Sequence, residues 1–332
     1  MASFNKLVAI IGAGPSGLSA GLWLKNLGFE PTILEKKQRA GGMQNLNFLG
    51  NTWVVGQPAV TGVQLAQRFV EHSISSGVAL QLGVDLLSIQ PSLSEGVTLF
   101  WRIESEVVSV RYAALVIATG TRYRGEQILQ EALGDAVLSR ELIACGPYAF
   151  QNIEALEGKR VLIVGAGDNA FENARLLLDV GAHVSLVARS LPRAQKQMRE
   201  LVIGCAGSEV LEYARIVQVR QANHGLIVQI ETPKGVLTRA ADRLHVLAGY
   251  VPNSDLLDHV MSPEWISCVP RDVHGYIQVD SWGRTSAPSI YAVGDVCNPD
   301  FPCVVSAIAQ GAKAAKAIEL DLRGDASAFA NS

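Results

Sequence analysis

Cysteine is scarce in this sequence: five residues in 332, with no CxxC pair, are too few and too scattered for a secreted disulfide scaffold or a paired-cysteine zinc site. A reduced, cytoplasmic chain is the resulting expectation. An excess of positive charge is also missing. Lys+Arg 28 against Asp+Glu 31 gives a formal charge of −3, without the electrostatic footprint of a nucleic-acid binder. No apolar run is long and smooth enough to read as a membrane span. The nearest approach, Leu7 to Leu24, is broken by Gly12, Gly14, Pro15, Gly17 and Gly21, and reads as a strand and a glycine turn rather than a leader. His72, His183, His224, His245, His259 and His274 do not pair at metal-ligand spacing, so all six read as structural or surface residues and no metal is expected. What the chain has in quantity is apolar content, 48% hydrophobic against 18% charged, which supports a large packed core. Its length sets two domains as the natural division.

The strongest internal signal is a repeat. Residues 8–36, VAIIGAGPSGLSAGLWLKNLGFEPTILEK, align without a gap onto residues 161–189, VLIVGAGDNAFENARLLLDVGAHVSLVAR. Each copy reads as a buried strand, a GxGxx(G/A) turn, a helix stopped by glycine and a second strand. A single GxGxxG is weak evidence, whereas two in register on strand–turn–helix units point firmly to paired dinucleotide folds. In the first copy Gly12 permits the tight turn, Gly14 lets the backbone approach a pyrophosphate, and Gly17 lets helix and strand pack closely. The helix N-terminus then presents free N–H groups to the anion. Glu35, at the tip of the second strand, is placed to accept the hydrogens of a ribose diol, so this copy reads as a site for an adenine dinucleotide of the FAD or NAD kind.

The second copy (Gly165, Gly167, Asp168, Asn169, Ala170) departs at informative positions. Ala188 stands where Glu35 stands in the first copy, and Arg189 follows it. Losing the acid and gaining a guanidinium suits a 2′-phosphate, hence NADP, although a repurposed nucleotide fold fits the same residues. Between the copies, Ala79–Leu82, Val97–Ile103 and Val107–Tyr112 read as short antiparallel strands, and Leu115–Ile117 as a buried strand meeting Ala118-Thr119-Gly120. Arg215–Val219 and Leu226–Thr232 repeat the hairpin pattern after the second copy. Ile290–Val293 reaches Gly294-Asp295, and a helix built of small residues begins near Pro302.

These ordered motifs, GAGPSG with Glu35, Gly41-Gly42, Ala118-Thr119-Gly120, GAGDNA, AGYVPN (248–253) and Gly294-Asp295, resemble those of the low-molecular-weight thioredoxin reductases over nearly the whole chain. The resemblance implies an α/β protein of two Rossmann-like dinucleotide-binding domains, the second inserted into the first. An FAD domain would comprise residues 1–122 and 249–332, and a second, NADPH-like domain residues 123–248. It implies FAD held by Gly12, Gly14, Ser16, Gly17, Glu35, Gly42, Gln44, Thr119, Gly120, Gly294 and Asp295, with backbone groups of Cys303 and Val304 facing the flavin. It also implies a homodimer and places Trp53 near the FAD and the dimer interface, although a core tryptophan fits that position equally.

One departure from that family is large. Members that reduce thioredoxin carry a CxxC before the second nucleotide strand, where this chain has Cys145 and no partner cysteine nearby. Cys297 and Cys303 lie instead on the loop and helix start after Gly294-Asp295, where a helix N-terminus favours thiolate. Both also read as small residues packed against the cofactor. The expectation is a flavin-dependent thiol-disulfide oxidoreductase using a relocated Cys297/Cys303 pair, with a thiol/disulfide protein or small molecule as partner. NADPH or a second FAD would occupy the second domain, the latter as in an atypical branch without the usual CxxC. A ferredoxin–NADP reductase without redox cysteines and a non-catalytic flavin-binding sensor are the competing readings.

Overall fold

The computed structural model describes residues 5–47, 50–51, 53–134, 138–139, 141–146 and 152–323. It divides into two compact units, one of residues 1–122 with 251–332 and the other of residues 123–250. Residues 147–151, part of the stretch after Cys145, lie outside the described residues.

The first unit starts with Leu7–Ile11 (β1), a wholly apolar strand of the kind that a parallel sheet buries on both faces. Pro15 sits in the first turn of Pro15–Asn26 (α1), where its missing N–H costs nothing. The helix ends at Leu27, and Gly28 follows at φ +85°, a conformation that glycine adopts without strain. The chain returns as Glu30–Glu35 (β2). Next comes Gly62–Ser75 (α2), started by a reciprocal capping box between Thr61 and Gln64.

Ala79–Leu82 (β3) pairs parallel with β2, which corrects its reading as an antiparallel strand. The antiparallel layer is made instead by Asp85–Ser92 (β4), Gly96–Ile103 (β5) and Glu106–Tyr112 (β6). The first of these three strands escaped the sequence pattern because Pro91 interrupts it, and proline ordinarily demotes a strand. Ala114–Ile117 (β7) then pairs parallel with β1.

The second unit repeats this plan. Ile143–Cys145 (β8), Arg160–Val164 (β9), His183–Val187 (β10), Ser208–Leu211 (β11) and Arg243–Val246 form a parallel sheet, with Asp168–Asp179 (α3) between β9 and β10. Arg215–Ala222 (β12), Gly225–Thr232 (β13) and Gly235–Ala241 (β14) form an antiparallel sheet, and Arg243–Val246 is β15. The parallel order is β8-β15-β9-β10-β11.

Back in the first unit, Ile290–Ala292 (β16) adds beside β7 to complete the order β16-β7-β1-β2-β3. Val304–Arg323 (α4) closes the unit, starting two residues beyond Pro302. Its small residues have a physical purpose: a Cβ on Gly311 would collide with the Ser16 carbonyl, so glycine lets α4 lie against the start of α1. Arg284 forks onto Asp321 at 2.7 and 2.8 Å, and the buried Tyr291 hydroxyl donates to the same carboxylate at 2.6 Å, which ties α4 to β16. No described helix is long and apolar enough to cross a membrane.

Candidate functional site

The first glycine turn is shaped for an anion. Gly12 stands at φ +108°, with its Cα facing the Ala118 carbonyl so closely that any side chain would clash. Gly17 meets the Gly12 carbonyl in the same way, which joins helix to strand. Around Gly14, by contrast, the nearest atom to an added Cβ is 3.9 Å away, so its outer face is open. Gly14 is the N-cap of α1 and supplies no side-chain cap, which leaves the N–H groups of Ser16 and Gly17 free for a ligand.

Other expected residues converge on that turn. The Gly41 N–H donates to the Ala13 carbonyl at 2.7 Å, and a Cβ on Gly42 would lie 2.9 Å from the Gly14 Cα. Gln44 follows in the same helical turn, Gly42–Leu46. Glu35 accepts from the Ala13 N–H at 2.8 Å and from the Lys37 N–H at 2.9 Å, which fixes the carboxylate at the strand tip with lone pairs to spare. Gly294 packs against Ser16, where a Cβ would strike the Ser16 hydroxyl. Thr119 and Gly120 are clamped by Asn253: its Nδ2 donates to the Thr119 carbonyl at 2.8 Å, its N–H donates to the Gly120 carbonyl at 2.9 Å, and the Thr119 hydroxyl donates to its carbonyl at 3.1 Å.

FAD fits these residues on three grounds. The turn has a cradle that a Cβ would fill, the helix start is uncapped, and several polar atoms are buried without partners. Gln44 Oε1, Asn45 Oδ1 and Asp295 Oδ1 are inaccessible to solvent and accept no hydrogen bond among the described residues. Burial pushes the Asp295 carboxyl up to about 6. Such acceptors call for hydroxyl or N–H donors, which a ribityl chain and a flavin ring possess.

The thiols beyond Asp295 are unequal. Cys297 Sγ contacts the Gly294 carbonyl at 3.3 Å and Gln310 Oε1 at 4.0 Å, and Gln310 Oε1 also accepts the Gly294 N–H at 2.7 Å. Burial, reinforced by the Asp295 charge, pushes the Cys297 thiol up to about 12. Cys303 immediately precedes α4 and is half-buried, while Val304 begins the helix and is buried. Both cysteines are free thiols. Trp53 is largely exposed at 66%.

In the second unit Gly165 stands at φ +140° against the Leu247 carbonyl, the counterpart of Gly12 against Ala118. Gly167 is the open, side-chain-free N-cap of α3. Asp168 turns away from the helix to accept from the Gln195 N–H at 2.8 Å and from Gln195 Nε2 at 3.4 Å. Asn169 Nδ2 donates to the Tyr250 hydroxyl, Ala170 is fully buried, and Arg189 is exposed just past β10. Burial and the Asp168 charge hold the Glu172 carboxyl above its usual range.

The model of a known protein family, described as pyridine nucleotide-disulphide oxidoreductase, matches residues 6–311. The chain belongs to that family. It is similar to the 34.2 kDa protein in the rubredoxin operon of Clostridium pasteurianum, 25% identical over 96% of this chain and 97% of that one. It is also similar to thioredoxin reductase of Mycoplasmopsis pulmonis, 25% identical over 95% and 97% respectively. NADPH-dependent thioredoxin reductase 3 of Arabidopsis thaliana is 26% identical over 94% of this chain, which spans 57% of that longer protein. Among solved structures, Lactococcus lactis thioredoxin reductase superposes with a TM-score of 0.79 at 20% identity, covering 97% of this chain and all of that one. The T. acidophilum enzyme superposes at 0.78 with 23% identity, covering 97% and 100%. These likenesses show the fold, two Rossmann-like domains. This pyridine nucleotide-disulphide oxidoreductase is a flavin-dependent enzyme of a family whose cofactors are FAD and NADPH.

Three residues of the site escaped sequence reasoning. Gln310 is a long polar residue where α4 otherwise presents small ones toward Gly294, a signal visible in principle within SAIAQGAKAA. Asn253 ends the AGYVPN motif, but its clamp on Thr119 joins positions far apart in the chain. Ser306 gave no signal beyond standing three residues after Cys303.

Proposed function

We propose that this enzyme exchanges electrons between FAD, held in the unit of residues 1–122 and 251–332, and a disulfide substrate, through thiols at Cys303 and Cys297. The observation that carries the reading is the position of both thiols in the chain shortly after Gly294-Asp295, where the buried Asp295 Oδ1 has no partner among the described residues and suits a cofactor's donor. Cys303, at the start of α4, is the attacking thiol. Its sulfur bonds to one sulfur of the substrate and a thiolate leaves; Cys297 then bonds to Cys303 and releases the second thiolate. The buried Cys297 thiol must first lose its proton, which makes resolution the slower half. Flavin bound in this unit and reduced by NADPH would supply the two electrons that return the pair to the dithiol.

Arg189 supports NADPH in the unit of residues 123–250, because its exposed guanidinium directly follows Ala188, which stands where an NAD-type fold has an acid. The alternative there is a second FAD, favoured by the incomplete arginine pair after β10, where Ser190 follows Arg189. A homodimer, a cytoplasmic setting, and a thiol/disulfide protein or small disulfide as partner complete the reading; five free thiols suit a reducing compartment. A second activity, ferredoxin–NADP reduction without redox cysteines, is favoured by the burial of the Cys297 thiol.

One experiment separates these. Flavin per protomer is measured, and the protein is titrated anaerobically with NADPH and with a dithiol, for wild type, Cys303→Ser and Cys297→Ser. The expected result is one flavin, bleaching by NADPH, and dithiol bleaching that is lost in Cys303→Ser. Dithiol bleaching that survives Cys303→Ser overturns the thiol reading, and a flavin ratio near two assigns the second site to flavin.

A further inference from the structure

The Cys303 sulfur is held by one residue. It accepts the Ser306 N–H at 3.3 Å and lies 3.4 Å from the Ser306 hydroxyl oxygen, while the Cys303 N–H donates to that same oxygen at 3.3 Å. This is a capping box in which sulfur replaces the usual oxygen: the residue before the helix and the third helical residue each satisfy the other's N–H. The hydroxyl oxygen has a further donor, Asn298 Nδ2 at 3.1 Å, so two donors point into it. Its single hydrogen therefore has three acceptors within reach: the Phe301 carbonyl at 2.7 Å, the Cys303 carbonyl at 3.0 Å and the sulfur.

We propose that Ser306 is a positioning residue for disulfide exchange at Cys303, turning its hydroxyl hydrogen from the Phe301 carbonyl to the sulfur when the thiolate forms. The inference rests on the reading of Cys303 as the exchanging thiol and adds what makes that thiol, rather than Cys297, the nucleophile. A neutral thiol receives one donor from Ser306, the N–H. A thiolate receives two, and the second is charge-assisted. Among the described residues Cys297 has no hydroxyl donor: its own backbone N–H faces the sulfur, and its other contacts are the Gly294 carbonyl and the Gln310 side-chain carbonyl oxygen, both acceptors. In exchange, the Cys303 thiolate bonds to one sulfur of a disulfide, the disulfide bond breaks, and the departing thiolate carries away the electron pair; no outside oxidant is needed.

The test uses the flavin-loaded protein and 4,4′-dithiodipyridine as the disulfide, with the labelled cysteine located by peptide mass spectrometry. Rates are measured from pH 5 to 10 for wild type, Ser306→Ala and Ser306→Thr. Ser306→Ala keeps the N–H cap and loses the hydroxyl, so Cys303 labelling near neutral pH falls about tenfold while the alkaline plateau stays put. Ser306→Thr restores the wild-type profile. A purely structural cap lowers the melting temperature in Ser306→Ala without moving the pH profile, and that result overturns the proposal. Full disulfide turnover in Cys303→Ser would refute the functional reading instead, and it is read in a different assay from the Ser306-dependent labelling.

Discussion

Replacing His245 by leucine isolates a pH liability built into the second unit. His245 lies on β15 in register with Ile163 of β9 and Ala144 of β8, is 0% exposed, and has no partner for either ring nitrogen among the described residues. Burial, aided by the Arg243 charge, drives its imidazole down from 6.5 to about 3. A depressed folded value means that the unfolded chain takes up a proton first as pH falls, so stability is lost below about pH 6.5 and levels off near pH 3. At pH 5 the loss relative to pH 8 is about 2 kcal/mol, because the unfolded histidine is then mostly protonated and the folded one is not. Leucine is close in size, binds no proton and leaves no buried N–H unpaired, so the variant is also about 1–3 kcal/mol more stable at pH 8. Urea unfolding of the second unit is followed by labelling of Cys145 and Cys205, both within it, with 4,4′-dithiodipyridine. The expected outcome is a stability gap between variant and wild type that widens by about 2 kcal/mol from pH 8 to pH 5. A gap that stays constant over that range would refute the assignment of the neutral, partnerless imidazole.

Two further outcomes follow from the first unit. Asp295→Asn removes a charge that burial penalises, so the flavin-free protein melts higher at pH 7 while flavin affinity drops; the wild-type penalty sets in as pH rises toward 6, which calorimetry at pH 5 and 7 checks. Gly311→Ala forces α4 away from the Ser16 carbonyl and costs about 1–3 kcal/mol, accompanied by flavin loss on dialysis; an unchanged flavin content would show that the close approach is dispensable.

The parts of the site that sequence reveals are those whose constraint is local. Gly17 is forced by the Gly12 carbonyl five residues earlier, and Gly12 and Gly165 stand at positive φ in their turns, so the resulting spacing is readable in a single string. Glu35 is legible because a strand tip has a fixed distance from the turn. What stays hidden depends on pairing across the chain. Nothing near Ala79–Leu82 declares that its neighbour is β2, since four residues carry no orientation, and the Gln310 contact with Gly294 exists only once α4 has docked. The inequality of Cys297 and Cys303 is likewise a matter of burial and donors, neither of which spacing reveals.

The contact of Gly311 with Ser16 has a consequence for how the protein is made. The first glycine turn leaves the ribosome well before β16 and α4, which complete its surroundings. The unit of residues 123–250 is continuous in sequence and can fold while the first 122 residues still wait for their closing strand. During that interval the start of α1 and the sheet edge at β7 stand uncovered, so the surroundings of the glycine turn are completed only once β16 and α4 have been made.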